Sequence, residues 1–155
     1  MSPSRGGRLS DADRRALAVV MDRLVPPVDE LPGAGEMGLA SEVEQIARRH
    51  RPLRSALITV MDALSMDMAA HAAGGFRALS EEQQVDSLRQ VEAAVPEQFA
   101  YFTQLVYTIY YMQPEVHERI GWPGGAVQPD GFDVEPFDES ILETARQREP
   151  FWRRV

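Results

Sequence analysis

The sequence contains no cysteine among its 155 residues. Disulfide bonds, thiolate zinc sites, cysteine-ligated iron–sulfur clusters, covalently attached c-type haem and thiol catalysis are therefore excluded together. Because none of these groups is possible, we expect any redox role of this chain to depend on a cofactor that another polypeptide holds.

Long apolar runs are also missing. No segment approaches the roughly 18 consecutive apolar residues of a membrane-spanning helix. Arg14-Arg15 stands near the start, but no apolar stretch follows it to make a secretory or twin-arginine signal. The sequence as written therefore predicts a cytoplasmic location, with a periplasmic one only for a chain exported with a partner or stripped of its signal.

Basic side chains are fewer than acidic ones, with 16 Lys and Arg against 24 Asp and Glu and a net charge of −8. Nucleic-acid binding gains most of its affinity from counterions released by basic side chains, so this balance argues against a nucleic-acid partner. The 44% hydrophobic and 26% charged content is typical of a globular domain. A chain of this length buries enough surface to fold without a metal or disulfide.

Helical periodicity and helix-start signals cover most of the chain, and no strand with period 2 is found. Ser10 with Asp13 and Ser80 with Gln83 form capping-box patterns, and Pro26-Pro27 ends the first helix. The predicted helices span residues 11–25, 39–49, 52–68, 81–94 and 97–112, with further turns at 115–120 and 139–148.

We therefore predict an all-α fold, in which residues 1–120 form a compact bundle of about five helices. From residue 121 onward, glycine and proline recur every few residues and no period persists. Trp122, Phe132 and Phe137 are spaced through this segment as anchors. Residues 121–155 are thus expected to form an extended C-terminal arm that packs on the domain or on a partner.

Few residues suggest chemistry. His50, His71 and His117 lack the paired spacing of a metal site, so solvated or capping roles are the simplest interpretation. Asp62, Asp67 and His71 could share one side of the third helix and perform acid–base work. A solvated face with an i,i+4 pair is favoured instead. We predict no catalytic, cofactor-binding or metal-binding residue in this chain.

Three glycines, Gly33, Gly35 and Gly38, cluster in the loop after the first helix. No strand precedes them, and their spacing matches neither the dinucleotide fingerprint nor the phosphate-binding loop of nucleotide hydrolases. A loop that closes over a helix end needs backbone conformations with positive φ, which glycine adopts readily. We expect these glycines to serve that purpose.

Aromatic side chains concentrate in the fifth helix and in the arm. Between residues 99 and 112 only Thr103, Gln104 and Thr108 fall outside the hydrophobic class, so this helix is expected to be covered nearly all round. Core packing explains part of the aromatic surface, and contact with another protein explains the rest. The predicted partner contacts are Phe102, Tyr107, Tyr110, Tyr111, Trp122, Phe132, Phe137, Phe151 and Trp152.

The order of several short motifs resembles the gluconate 2-dehydrogenase subunit 3 family. The likeness runs from about Leu9 to Phe132. Its motifs are Leu24-Val25-Pro26, Pro32-Gly33-Ala34 followed by Gly38, the segment FRALSEEQQ at residues 76–84, an aromatic helix, and Gly121-Trp122-Pro123-Gly124.

The resemblance implies a non-catalytic accessory subunit of a heteromeric flavin-dependent sugar, glycoside or polyol dehydrogenase. Members of that family accompany a large FAD-bearing subunit of the glucose–methanol–choline oxidoreductase type, often with a cytochrome subunit as electron acceptor. The small subunit is thought to help the large one fold, persist and be exported. FAD is thus expected in the partner and no cofactor in this chain.

Two other functions remain open on the sequence alone. The chain is alternatively a stand-alone or homodimeric helical module that binds a protein or an apolar ligand between its helices. The third possibility is an enzyme that uses Asp62, Asp67 and His71.

Overall fold

The computed structural model describes residues 9–122, 131 and 136–148. The chain divides into two units, Met1–Pro123 and Gly124–Val155. Val28 and Leu31 pair in one isolated bridge, and no strand occurs within the described ranges. The all-α prediction is confirmed.

The first unit contains five helices of ten residues or more. Two six-residue helices and a 3-10 turn, Phe76–Ala78, complete its described part. In chain order the helices are α1 Asp11–Leu24, α2 Ala40–Arg49, α3 Arg51–Ser65, α4 Met68–Ala73, α5 Glu81–Ala94, α6 Pro96–Tyr111 and α7 Pro114–Arg119.

In the second unit, the helix predicted for residues 139–148 is a 3-10 turn, Glu139–Leu142, followed by α8, Glu143–Arg146. Asp138 begins the turn by accepting a hydrogen bond from the backbone N–H of Ser140. A helical segment is thus present where the sequence predicts one, but it is shorter and mixed in type.

Both predicted capping boxes form. At the start of α1, the Asp13 N–H donates to Ser10 Oγ at 3.1 Å, and the Ser10 N–H donates to Asp13 Oδ2 at 3.1 Å. At the start of α5, Ser80 and Gln83 exchange the same two bonds at 3.3 and 3.0 Å. Each cap stabilises its helix by about 1 kcal/mol.

The third helix is shorter than predicted. It ends at Ser65 because Asp67 begins α4 instead, accepting hydrogen bonds from the Ala70 N–H at 3.0 Å and from Ser87 Oγ at 2.6 Å. Met68, predicted to join the core stripe, is 86% exposed, so this part of the prediction is wrong. The rest of the stripe is buried or half-buried: Leu53, Leu57, Val60, Met61 and Leu64.

The core is organised around α6, which packs against α1, α2, α3 and α5 and most extensively against α3. Phe102 and Ile109 of α6 are almost completely buried, as are Leu17 of α1 and Val60 of α3. The remaining buried residues of α6 are Phe99, Leu105, Val106 and Tyr110.

The glycine loop between α1 and α2 is held by Asp22, whose Oδ1 accepts the N–H groups of Gly35 at 2.7 Å and Glu36 at 3.1 Å. Gly38 has a φ of +73°, as expected for this loop. Gly35 does not have positive φ; it is needed because a Cβ there would lie 2.0 Å from the backbone oxygen of Ala18. The expectation of positive φ was therefore wrong at Gly33 and Gly35. At Gly35, close approach of the loop to α1 is the constraint.

We predict that Gly35→Ala destabilises the protein strongly, since its Cβ overlaps backbone that cannot move aside. The free energy of unfolding should fall by about 3 kcal/mol, measured by urea denaturation. Gly38→Asn is the matched control, because Asn tolerates the left-handed conformation and the site is open. Equal losses for the two variants would contradict this explanation.

Candidate partner interface

One face of α6 is exposed and uncharged. Tyr101 and Tyr107 are each 42% exposed, and Tyr111 is 51% exposed. No charged residue occurs from Ala100 to Met112. The described part of the chain therefore covers only one side of this helix, and the expectation of cover nearly all round stays a prediction that requires a partner. We call this surface the tyrosine face; it consists of Tyr101, Gln104, Tyr107, Thr108, Tyr111 and Met112.

Helical geometry explains which rings are exposed. At 3.6 residues per turn the tyrosine face spans a sector of roughly 140°, with Gln104 and Thr108 near its centre. Phe102 and Ile109 point to the opposite side and enter the core. The two polar residues thus mark the exposed side.

The rings of the tyrosine face contact one another and the core. The Tyr107 and Tyr111 ring centroids lie 6.5 Å apart, and Tyr111 meets Tyr110 edge-on at 5.2 Å. Tyr110 is buried, and its hydroxyl donates to the Pro32 carbonyl at 3.0 Å. Burial, followed by the influence of Tyr111 and Glu115, raises the pKa of that hydroxyl. Tyr111 therefore rests on a fixed ring, so less side-chain freedom is lost when a partner binds.

Trp122 is tied to the C-terminal end of α6 through His117. The Trp122 ring meets the His117 ring edge-on at a centroid distance of 4.2 Å, and the backbone N–H of Trp122 donates to the His117 carbonyl at 2.9 Å. The imidazole Nε2 in turn hydrogen-bonds the Tyr111 carbonyl. His117 thus has a capping role, one of the two that the sequence favours, and it links Trp122, which is 39% exposed, to the end of α6.

A groove of about 660 Å³ borders the tyrosine face. The Oγ1 atom of Thr103 in its wall is buried and has no hydrogen-bond partner in the described part of the chain. The apolar lining of the groove comes from α1, α5 and α6: Leu24, Val85, Leu88, Pro96, Phe99, Ala100 and Tyr107. The groove is open and apolar enough to receive a hydrophobic side chain.

The predicted partner contacts divide into three groups. Tyr107, Tyr111 and Trp122 are exposed in the first unit, and Phe137 is 64% exposed in the second. Phe102 and Tyr110 are buried in the core, so their assignment to a partner surface is corrected here. The structure does not describe the remaining predicted contacts, which are Phe132, Phe151 and Trp152.

Sequence reasoning missed three exposed apolar residues near this surface. Tyr101, Met112 and Ile120 are 42%, 61% and 50% exposed. Tyr101 could have been found from its angular position, since it lies on the same side of the helix as Gln104 and Thr108. The number of rings along α6 does not by itself show which face of the helix each ring occupies.

The candidate acid–base residues are divided between two helices and the N-cap of the second. Asp62 lies on α3 and His71 on α4, separated by the break at Asp67. Hydrogen bonds from Ser87 and from backbone N–H groups lower the pKa of Asp67, which is a capping carboxylate. No group of three potential metal ligands occurs among the described residues.

The segment FRALSEEQQ, which contributes to the family resemblance, has a structural role. Gln84 is buried, and its amide donates to the carbonyls of Phe76 at 3.4 Å and Leu79 at 3.0 Å. The amide oxygen accepts from Arg23 Nε at 2.7 Å, and Arg23 also pairs with Glu81 at 2.8 Å. This network joins α1, the 3-10 turn and α5.

A second buried network joins α1 to α2. The Glu44 carboxylate accepts hydrogen bonds from the Leu9 N–H at 3.1 Å and from Arg14 Nε at 2.7 Å. Burial raises the pKa of Glu44, but the hydrogen bonds from Arg14 and Leu9 outweigh it and hold that pKa below its ordinary value. The buried charge is thus paired and fully bonded.

The family model for gluconate 2-dehydrogenase subunit 3 matches residues 11–124, from the first residue of α1 past Trp122. The chain belongs to the gluconate 2-dehydrogenase subunit 3 family. No curated protein and no solved structure matches it. Membership makes this chain a dehydrogenase subunit that works with other subunits. No helix in the described ranges has both the length and the apolar character that crossing a bilayer requires.

We predict that Gln84→Leu lowers the free energy of unfolding by about 2 kcal/mol, because two buried carbonyls and Arg23 lose their partner. Thermal or urea denaturation measures the loss. Gln90→Leu, an exposed position on the same helix, should change stability by less than about 0.5 kcal/mol. An equal effect at both positions would contradict the proposed role of the Gln84 amide.

We predict that Glu44→Gln removes part of the protein's acid sensitivity. Because the folded carboxylate binds its proton more weakly than the unfolded one, its contribution is present above the ordinary carboxyl pKa and is lost as the pH falls. The variant should be about 2 kcal/mol less stable than wild type at pH 7, with the gap closing below about pH 4. Urea midpoints across pH 3–7 test this, with Glu92→Gln as the exposed control. A gap that stays constant with pH would refute it.

Proposed function

We propose that this chain is a non-catalytic accessory subunit that stabilises the large, FAD-bearing subunit of a sugar, glycoside or polyol dehydrogenase and assists its folding. A cytochrome subunit is the proposed electron acceptor of the assembled complex. Family membership supports a dehydrogenase subunit. The tyrosine face is the observation that carries the proposed contact with the large subunit.

The tyrosine face has the composition of an interface core. Exposed helix faces usually carry charged residues, yet this one is neutral in a chain of net charge −8. Tyr and Met are enriched at protein–protein interfaces, and contiguous exposed apolar surface marks such sites. The adjoining groove and Trp122 extend the surface that a partner would cover.

The role of Asp67 as a helix cap supports a division of labour between subunits. Asp67 is engaged as a helix cap with Ser87, so its carboxylate is not poised for proton transfer. We therefore assign the oxidation of substrate, and the FAD that accepts the hydride, to the large subunit.

The large subunit is stabilised by mass action when this chain binds its folded form. A subunit that binds only the folded form of its partner raises the partner's stability by RT ln(1 + [L]/Kd), or about 2.7 kcal/mol when its free concentration is 100 times Kd. Burial of the tyrosine face supplies the association energy. The large subunit would then retain its fold and its FAD longer.

The groove favours one alternative, a stand-alone or homodimeric helical module. Its volume of about 660 Å³ lies within the range of small-molecule sites. An isolated chain that stays monomeric or homodimeric, binds an apolar ligand and ignores a flavoprotein would support that alternative.

Co-expression with the large subunit tests the proposal. The large subunit is produced alone, with the wild-type chain, and with Tyr107→Asn/Tyr111→Asn. We expect the wild-type chain to co-purify and to raise soluble yield and FAD content. The double variant should bind about 100-fold more weakly, which corresponds to a loss of about 1.4 kcal/mol at each of two central interface tyrosines.

Met66→Asn/Met68→Asn provides the matched control. These methionines are 80% and 86% exposed and lie outside the tyrosine face, so their replacement should leave affinity within about twofold. Equal yield and FAD content with and without the chain, and no co-purification, would refute the accessory role. Equal weakening by both double variants would refute the assignment of the tyrosine face.

A further inference from the structure

A cluster of basic side chains lies where α2 turns into α3 and takes no part in the networks described above. All its members are exposed and fall within seven consecutive residues. Between Glu44 and Asp62 the chain carries no acidic residue. We call this cluster the basic corner; it consists of Arg48, Arg49, His50, Arg51 and Arg54.

The basic corner lacks internal counter-charges. Arg14 and Arg23 form ion pairs with carboxylates, but no arginine of the corner forms one within the described part of the chain. The charge of Arg48 reaches Glu44 and contributes to the lowered pKa of that carboxylate. Glu44 itself is already bonded to Arg14 and Leu9.

Local helix stability explains only half of the cluster. Arg48 and Arg49 lie in the last turn of α2, where the helix dipole favours positive charge. Arg51 and Arg54 lie in the first turn of α3, where the dipole disfavours it, and that turn has no acidic residue. Two of the four permanent positive charges, those of Arg51 and Arg54, therefore lie where helix stability does not favour them.

We propose that the basic corner docks on a carboxylate-rich patch of the large subunit. This inference rests on the proposed function and adds a second contact to the tyrosine face. Guanidinium groups bind carboxylates through two parallel hydrogen bonds, which arginine makes and lysine does not.

Overall charge favours a protein partner over a polyanionic surface. The whole chain carries −8, so an extended anionic bilayer would repel most of it. A local acidic patch on a protein contacts only the basic corner, so it is not repelled by the negative charge on the rest of the chain. The corner would accelerate encounter and set the orientation of the two subunits.

The basic corner and the tyrosine face share no residue, so their contributions can be measured separately. The test replaces all four arginines in the full-length chain (R48Q/R49Q/R51Q/R54Q) and measures association with the purified large subunit by stopped flow. At 50 mM salt the variant should associate about tenfold more slowly than wild type. At 500 mM salt the two rates should converge, because screening removes long-range attraction.

Two further variants separate charge from structure. The control R15Q/R77Q/R148Q removes three exposed arginines from separate parts of the chain, and should slow association less than twofold. The variant R48K/R49K/R51K/R54K keeps the charge, so it should recover most of the lost rate and dissociate faster than wild type. Circular dichroism and urea midpoints verify that each variant is folded.

The outcomes distinguish this inference from the proposed function. If the wild-type chain does not bind the large subunit, both fail. If the wild-type chain binds, two results refute only the basic corner. One is equally fast association of the four-glutamine variant at low salt, and the other is an equal slowing by the control variant. Vesicles containing phosphatidylserine provide the last arm. If the wild-type chain binds these vesicles and the four-glutamine variant does not, while both associate equally with the large subunit, the corner binds lipid. That result would overturn the inference.

Discussion

Helix α6 must satisfy two environments at once. Phe102 and Ile109 on one side are packed among α1, α2, α3 and α5, and the core is built around them. The opposite side is uncharged and carries exposed tyrosines that water solvates poorly. Because the first requirement fixes the orientation of the helix, the second cannot be met by rotating it. Under the proposed function, the large subunit covers these exposed rings.

The polar networks keep this arrangement rigid. Arg23 and Gln84 join α1 to α5, and Glu44 with Arg14 joins α1 to α2. Tyr110 is bonded to the glycine loop and supports Tyr111 from beneath. The family motif around residues 76–84 thus contributes to the scaffold, and the tyrosine face lies elsewhere on it. This separation of scaffold residues from the tyrosine face suits a subunit that presents a preformed surface to a larger partner.

Local signals in the sequence were sufficient where the controlling contacts are local. The capping boxes at Ser10 and Ser80 depend on residues three positions apart, so the starts of α1 and α5 could be predicted. The break after Ser65 could not, because Asp67 is held by Ser87 twenty residues later. Gly35 is required by an approach to α1 that is visible only in three dimensions.

The candidate interface was predictable only in part, because composition and helical period are local signals and the burial of each ring is not. Aromatic composition indicated that α6 bears more rings than a small core needs, and the periodicity of a helix assigns Tyr107 and Phe102 to opposite sides. Counting rings without their angles grouped both with the partner surface. The basic corner was missed because a net charge of −8 conceals a local excess of arginine.

Covalent labelling of solvent-accessible tyrosines gives the most direct measurement of whether a second polypeptide covers α6. The isolated chain and its complex with the flavoprotein are labelled under identical conditions and compared by mass spectrometry, residue by residue. The account predicts that Tyr107 and Tyr111 react in the isolated chain and are strongly protected in the complex, while buried Tyr110 reacts poorly in both. Unchanged labelling of Tyr107 and Tyr111 in a fully formed complex would contradict it.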